Sequence, residues 1–83
     1  MPLENPNKKI IEDFITAALA LLEWEGESVH SLLTDLSINE EWDVTNSDGV
    51  KFTYTKIEDD SGHFCILAKS DLMQEYHMLP GSF

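Results

Sequence analysis

The stretch that most restricts what this chain can fold into runs from Val50 to Lys69. Val50, Phe52 and Tyr54 alternate with Lys51, Thr53 and Thr55, and beyond a polar break Phe64, Ile66 and Ala68 alternate with His63, Cys65 and Leu67. Successive side chains of a strand point to opposite faces, so these two runs predict two strands, each with one face turned to a core. The break, Glu58-Asp59-Asp60-Ser61-Gly62, is made of turn residues, and Gly62 accepts a positive φ at little steric cost. The expectation is a β-hairpin against which the rest of the chain must pack.

Upstream, Asn5-Pro6 fits a helix N-cap followed by proline at the first helical position, where its missing N–H costs nothing. Ile11, Phe14, Ile15, Ala18 and Leu22 then recur at three- and four-residue steps, Leu19 and Leu21 widen the stripe, and Gly26 is the expected stop. Val29, Leu32, Leu33 and Leu36 predict a short second helix within residues 28–37, capped by Ser28. Leu36, Ile38, Trp42 and Val44 also alternate, so a strand that starts early competes for the end of that helix. The first strand is placed at Glu41 to Thr45, followed by the turn Asn46-Ser47-Asp48-Gly49. After the hairpin, Asp71-Leu72-Met73-Gln74 has the form of a capping box, and Leu72, Tyr76 and Leu79 fall at helical steps until Pro80-Gly81. The reading is one α+β domain over residues 1–83: a three-stranded antiparallel meander with helices packed on one face, in the order α-α-β-β-β-α. Phe52, Tyr54, Phe64 and Ile66 are expected to meet Phe14, Ala18 and Leu22 in one core.

Charge limits the partners. Sixteen acids face five lysines and no arginine, for a net charge of −11. Between Ile10 and Val50 stand Glu12, Asp13, Glu23, Glu25, Glu27, Asp35, Glu40, Glu41, Asp43 and Asp48, with no Lys or Arg among them. Nucleic acid and anionic lipid both select Lys and Arg, so direct binding to either is not expected. A basic protein surface is the natural partner. The one cysteine excludes an internal disulfide, and Met-Pro-Leu-Glu-Asn-Pro lacks the basic and apolar regions of a signal peptide, which together point to a reducing, cytoplasmic setting. The longest strongly apolar run, Phe14 to Leu22, falls well short of the roughly 20 residues that cross a bilayer.

No reactive constellation stands out. His63 and Cys65 lie near each other, but His30, His63 and His77 are too dispersed for the paired spacing of a structural zinc site, and no third group orients a Cys–His nucleophile. Aligning Asn46-Ser47-Asp48-Gly49 with an EF-hand loop puts Val44 and Thr55 where the first and last ligands belong, so a hairpin turn is the better reading. Glu58-Asp59-Asp60 reads as a solvated turn rather than a cation site. Glu40-Glu41 and Glu12-Asp13 read as hydrated surface pairs rather than acid–base machinery. A chain this short buries only roughly 60–65% of its unfolded surface and has little core to give up to a pocket. No catalytic, cofactor-binding or metal-binding residues are assigned, and enzymatic activity is not expected.

Two tryptophans sit among the acids. Trp24 lies between Glu23 and Glu25, and Trp42 between Glu41 and Asp43. Trp supplies a large contact area and a polar N–H, which favours it as an interface anchor, although Trp42 fits better as a core residue on the first strand, and Trp24 fits equally as the end of the first helix's apolar stripe. The candidate partner-binding set is Glu23, Trp24, Glu25, Glu27, Glu40, Glu41, Trp42 and Asp43. The expected function is a small acidic module that occupies a basic, even nucleic-acid-binding, surface of a protein partner, as an inhibitor or nucleic-acid mimic. Phage-encoded anti-defence inhibitors share this size and charge, an analogy of composition without a shared motif. The alternative is an adaptor, immunity-type or chaperone-like protein that binds through an apolar surface or a sheet edge and uses its acidity for solubility.

Overall fold

The computed structural model of the chain describes residues 6–81, with side chains from residue 8 onward. Two helices, α1 (Pro6–Trp24) and α2 (Val29–Asp35), precede four strands, β1 (Glu41–Thr45), β2 (Lys51–Glu58), β3 (Phe64–Ser70) and β4 (His77–Met78). The strands form one antiparallel sheet in sequence order. The class is α+β. The proposed cap at Asn5 lies outside the described residues.

Each junction has a local cause. At the end of α1, Glu27 N–H donates to Leu22 C=O (2.8 Å) and Gly26 N–H to Glu23 C=O (3.0 Å), with Gly26 at φ +76°. That is the Schellman arrangement, which needs a left-handed residue at the position Gly26 occupies. Ser28 caps α2 reciprocally: its Oγ accepts from Ser31 N–H (3.1 Å), and Ser31 Oγ accepts from Ser28 N–H (2.8 Å). The helix ends at Asp35, so the competing early strand does not form and β1 begins at Glu41. In the hairpin turn, Asp59 Oδ1 accepts from the N–H groups of Ser61 and His63, both at 2.9 Å.

Both helices lie over the sheet face that carries Trp42, Val44, Phe52, Tyr54, Ile66 and Ala68. The Phe14 ring stacks on Phe52 at 5.6 Å, and the Tyr54 hydroxyl donates to Ala18 C=O at 2.7 Å. The Lys56 ammonium donates to the C=O groups of Leu33 (2.7 Å) and Leu36 (3.3 Å), so β2 supplies the cation that α2 lacks in its own last turn. Phe14, Ala18, Leu21, Leu22, Val29, Leu32, Phe52, Tyr54, Ile66, Ala68 and Leu79 form one buried cluster. Full burial of one such large apolar side chain is worth about 1.5–3 kcal/mol.

Two sequence expectations are corrected. The third helix is absent: residues 71–76 bend, and His77–Met78 pairs with Leu67–Ala68 as β4. Ser70 and Met73 exchange backbone hydrogen bonds at 3.0 and 3.2 Å, Ser70 Oγ accepts from the N–H groups of Leu72 and Met73, and Leu79 N–H donates to Ile66 C=O. A segment this short gains little from isolated helix formation, whereas the free edge of β3 offers partners for its backbone. Of the residues at helical spacing, Leu79 is fully buried while Leu72 is 81% exposed. Phe64 is the second correction. It stays 42% exposed at the turn end of the hairpin, opposite Glu58, where the sheet runs past the core and the Lys56 ammonium sits 4.8 Å from the ring centre.

Candidate protein-interaction site

The eight residues singled out in the sequence do not form one surface. Trp42 projects onto the helix-covered face, where it is half-buried against Tyr54 with ring centres 5.6 Å apart. Glu41 and Asp43, its neighbours on β1, project onto the opposite face. There Asp43 Oδ1 accepts from Thr53 Oγ1 (2.8 Å), and Glu41 Oε2 accepts from the Tyr76 hydroxyl (2.8 Å). Glu41 belongs to the β1 edge and Tyr76 directly precedes β4, so the Tyr76 side chain straps the outer face from one edge toward the other, with the Lys69 ammonium 4.9 Å from its ring centre. Burial raises the Tyr76 phenol above its ordinary pKa, with the hydrogen bond to Glu41 and the charges of Glu41 and Asp43 adding to the effect. Tyr76 was not recognisable as part of this face while residues 71–79 read as a helix.

Glu40 and Glu27 are also engaged locally. Glu40 Oε1 accepts from Ser37 N–H (2.8 Å) in the turn into β1, and Glu27 Oε1 accepts from Ser31 Oγ (2.7 Å) beside the α2 cap. Four of the six candidate carboxylates therefore hold turns, a cap or the outer sheet face.

Glu23 and Glu25 are different. They flank Trp24, whose side chain stands 85% exposed at the end of α1. The core takes Leu21 and Leu22 from this turn of helix, which leaves Trp24 on the flank. Trp24 lines a groove of about 330 Å³ with Ala17, Ala20 and Leu21 on one wall and Asn46 and Ser47 of the β1–β2 turn on the other. That second wall is fixed by Asn46, whose Oδ1 accepts from the N–H groups of Asp48 (2.9 Å) and Val50 (3.0 Å). The same hydrogen bonds account for the Asn-Ser-Asp-Gly motif as a turn.

The electrostatics of this end of α1 run against the helix. The first turn holds no acid and the last no base, while Lys8 and Lys9 stand at the start and Glu23 at the end. Each reversal of the dipole preference costs about 0.3 kcal/mol or more at an exposed position. Among the described residues, no lysine lies within ion-pair distance of Glu23 or Glu25; Lys9 pairs with Asp13 at 3.8 Å, and Lys56 is committed to α2. A negative helix terminus, two uncompensated carboxylates and an exposed indole thus coincide.

Cys65 is buried on the outer face, and burial followed by the charge of Asp59 raises its thiol above the ordinary value, away from a reactive thiolate. Among the described residues, no group of three or more His, Cys, Asp or Glu side chains is placed to hold a metal ion, and no helix is long and apolar enough to cross a membrane. The architecture defines a small α+β protein with both helices on one face of a four-stranded sheet. No protein-family model, curated protein or solved structure matches the chain.

Proposed function

We propose that this protein is an acidic binding module that docks onto a basic surface of another protein through the C-terminal end of α1. Trp24 is the anchor, and Glu23 and Glu25 are its charged flanks. The carrying observation is the 85% exposure of Trp24 between two carboxylates that no described lysine neutralises. Leaving a large indole in water forgoes its burial in the core, and Glu23 at the negative end of α1 costs helix stability; local rules broken together at one place are typical of a functional surface. Glu27, Glu40, Glu41 and Asp43 add to the long-range field that steers a cationic partner, while their side chains serve internal hydrogen bonds. A partner surface that normally holds nucleic acid offers the required Lys and Arg, which makes inhibition by mimicry the specific form of this reading.

The test uses partners retained from a host extract by the immobilised protein, followed by association kinetics over a salt series. Glu23→Lys with Glu25→Lys shifts the charge by four units, two at each position, and is expected to slow association by about tenfold or more at low salt and to flatten the salt slope. Trp24→Ala is expected to act mainly on dissociation. Association of the reversed protein at the parental rate, with the parental salt slope, would sink the proposal and leave the acidity as a solubilising feature.

A further inference from the structure

We infer that the occupant of this site is a basic amphipathic helix of the partner, laid along the exposed flank of α1. The inference rests on the basic-partner reading and adds the shape of what binds. Three observations carry it.

First, the flank is a helix-packing seam. Ile10, Ala17 and Trp24 recur at seven-residue intervals, with Asp13 and Ala20 between them, which is the spacing by which one helix presents a stripe to another. Ile10 is 54% exposed and Ala17 and Ala20 are exposed, so the fold buries none of these three, while Asp13 is held by Lys9 at 3.8 Å. The two alanines at its centre let a second helix axis approach closely, while Ile10 and Trp24 close its ends.

Second, the seam has an outer wall at each end. The groove beside Trp24 is bounded by the β1–β2 turn, and a second groove of about 360 Å³, lined by Ile10, Ile11, Met73, Glu75 and His77, is bounded by the β3–β4 connection. These two connections leave the same end of the sheet, where Asp71 N–H donates to Lys51 C=O at 3.1 Å. Both grooves therefore follow one flank of α1, and Ile10 to Trp24 spans about 21 Å at about 1.5 Å per residue, room for an occupant of roughly four turns.

Third, chemistry selects the occupant. The backbone of α1 is satisfied within its own helix, so a segment lying on it gains no main-chain hydrogen bonds and must satisfy its own, as a helix does and an extended strand does not. Glu75 lines the second groove, Asp48 belongs to the β1–β2 turn that walls the first, and Glu23 and Glu25 flank Trp24 in the chain. Lysines flanking an apolar stripe complement these carboxylates, whereas a second copy of this chain would bring another −11 against them.

The test uses the Trp42→Phe protein, in which Trp24 is the sole indole, and four synthetic probes. The first is a helix-forming peptide of about sixteen residues with leucines at i, i+3, i+4 and i+7 and lysines on both flanks; the second is its scramble of equal charge; the third keeps the stripe but replaces lysine with glutamate; the fourth carries a central proline. The first is expected to shift Trp24 emission to shorter wavelength with saturable binding, and the others to bind about tenfold or more weakly. Ala20→Gln, a substitution that keeps charge and replaces alanine with another good helix former, is expected to weaken the first probe by a similar factor and leave the scramble unchanged. Equal binding of helix and scramble, indifferent to Ala20→Gln, overturns the helical occupant while the basic-partner reading stands. Equal binding of the glutamate peptide overturns the charge selection and the basic-partner reading together, and so does an absence of binding by the first probe and its scramble alike. Sedimentation that shows a dimer with Trp24 buried assigns the seam to a second copy and also overturns the inference.

Discussion

At the residue scale, Tyr54 shows how one side chain ties the layers together. Its ring completes the core between Trp42 and the helices, and its hydroxyl donates to Ala18 C=O at 2.7 Å, joining the central strand to the middle of α1. Burial raises its phenol far above the ordinary pKa. The folded state thus holds the proton while the unfolded chain releases it at about 10. The stabilisation is complete below about pH 10 and is lost as pH rises further, because the unfolded state then binds fewer protons than the folded one. Tyr54→Phe is expected to cost about 0.5–1.5 kcal/mol near neutrality. Urea midpoints at about pH 8 and about pH 11 should show that gap narrowing or reversing; a gap that widens with alkalinity would contradict the buried neutral phenol. The alternation around Val50–Lys69 located Tyr54 in the core from sequence, but not its hydroxyl's partner, thirty-six residues away. Phe64 carried the same alternation and is half in water, because a period-2 pattern assigns a face and not how far the core extends along it.

At the element scale, the segment after β3 decides between two readings that share the same residues. As a helix, Leu72, Tyr76 and Leu79 would bury together; as observed, Leu79 reaches the core from just beyond β4 while Leu72 points to solvent. Leu79→Ala is therefore expected to cost about 2–5 kcal/mol, and Leu72→Ala to stay within about 0.5 kcal/mol. Comparable losses from both substitutions, measured by denaturant unfolding, would restore the helical reading. The Asp-Leu-Met-Gln sequence suggested a capping box because such a box is a purely local signal. Capping of Leu72 and Met73 by Ser70 Oγ, and pairing with β3, are equally available to the backbone and bring the added burial of Leu79. α2 shows the converse: its cap residue Ser28 was legible because the capping partner, Ser31, lies three residues away.

For the whole molecule, the net charge of −11 is what remains once all five lysines are counted, and among the described residues Lys9–Asp13 is the one lysine–carboxylate ion pair, since Lys56 serves carbonyl groups and Lys69 covers an aromatic ring. Self-repulsion of this kind is screened as the Debye length falls from about 30 Å to about 10 Å. The melting temperature is expected to rise between about 0.01 M and 0.1 M sodium chloride. A flat or falling profile in scanning calorimetry would mean that the carboxylates stand too far apart to oppose folding. Sequence alone determined the helix α1, the capped start of α2, the antiparallel run β1–β3, the face each strand turns inward and the excess of acid, because periodicity, turn chemistry and charge are properties of neighbours along the chain. Only the tertiary structure decided that Glu41 and Asp43 hold the outer sheet face, that β4 replaces a helix, and that Trp24 stands apart over a groove between α1 and the β1–β2 turn. Those outcomes depend on which distant groups arrive within hydrogen-bond reach, and on which side of α1 the sheet covers, neither of which a local pattern contains.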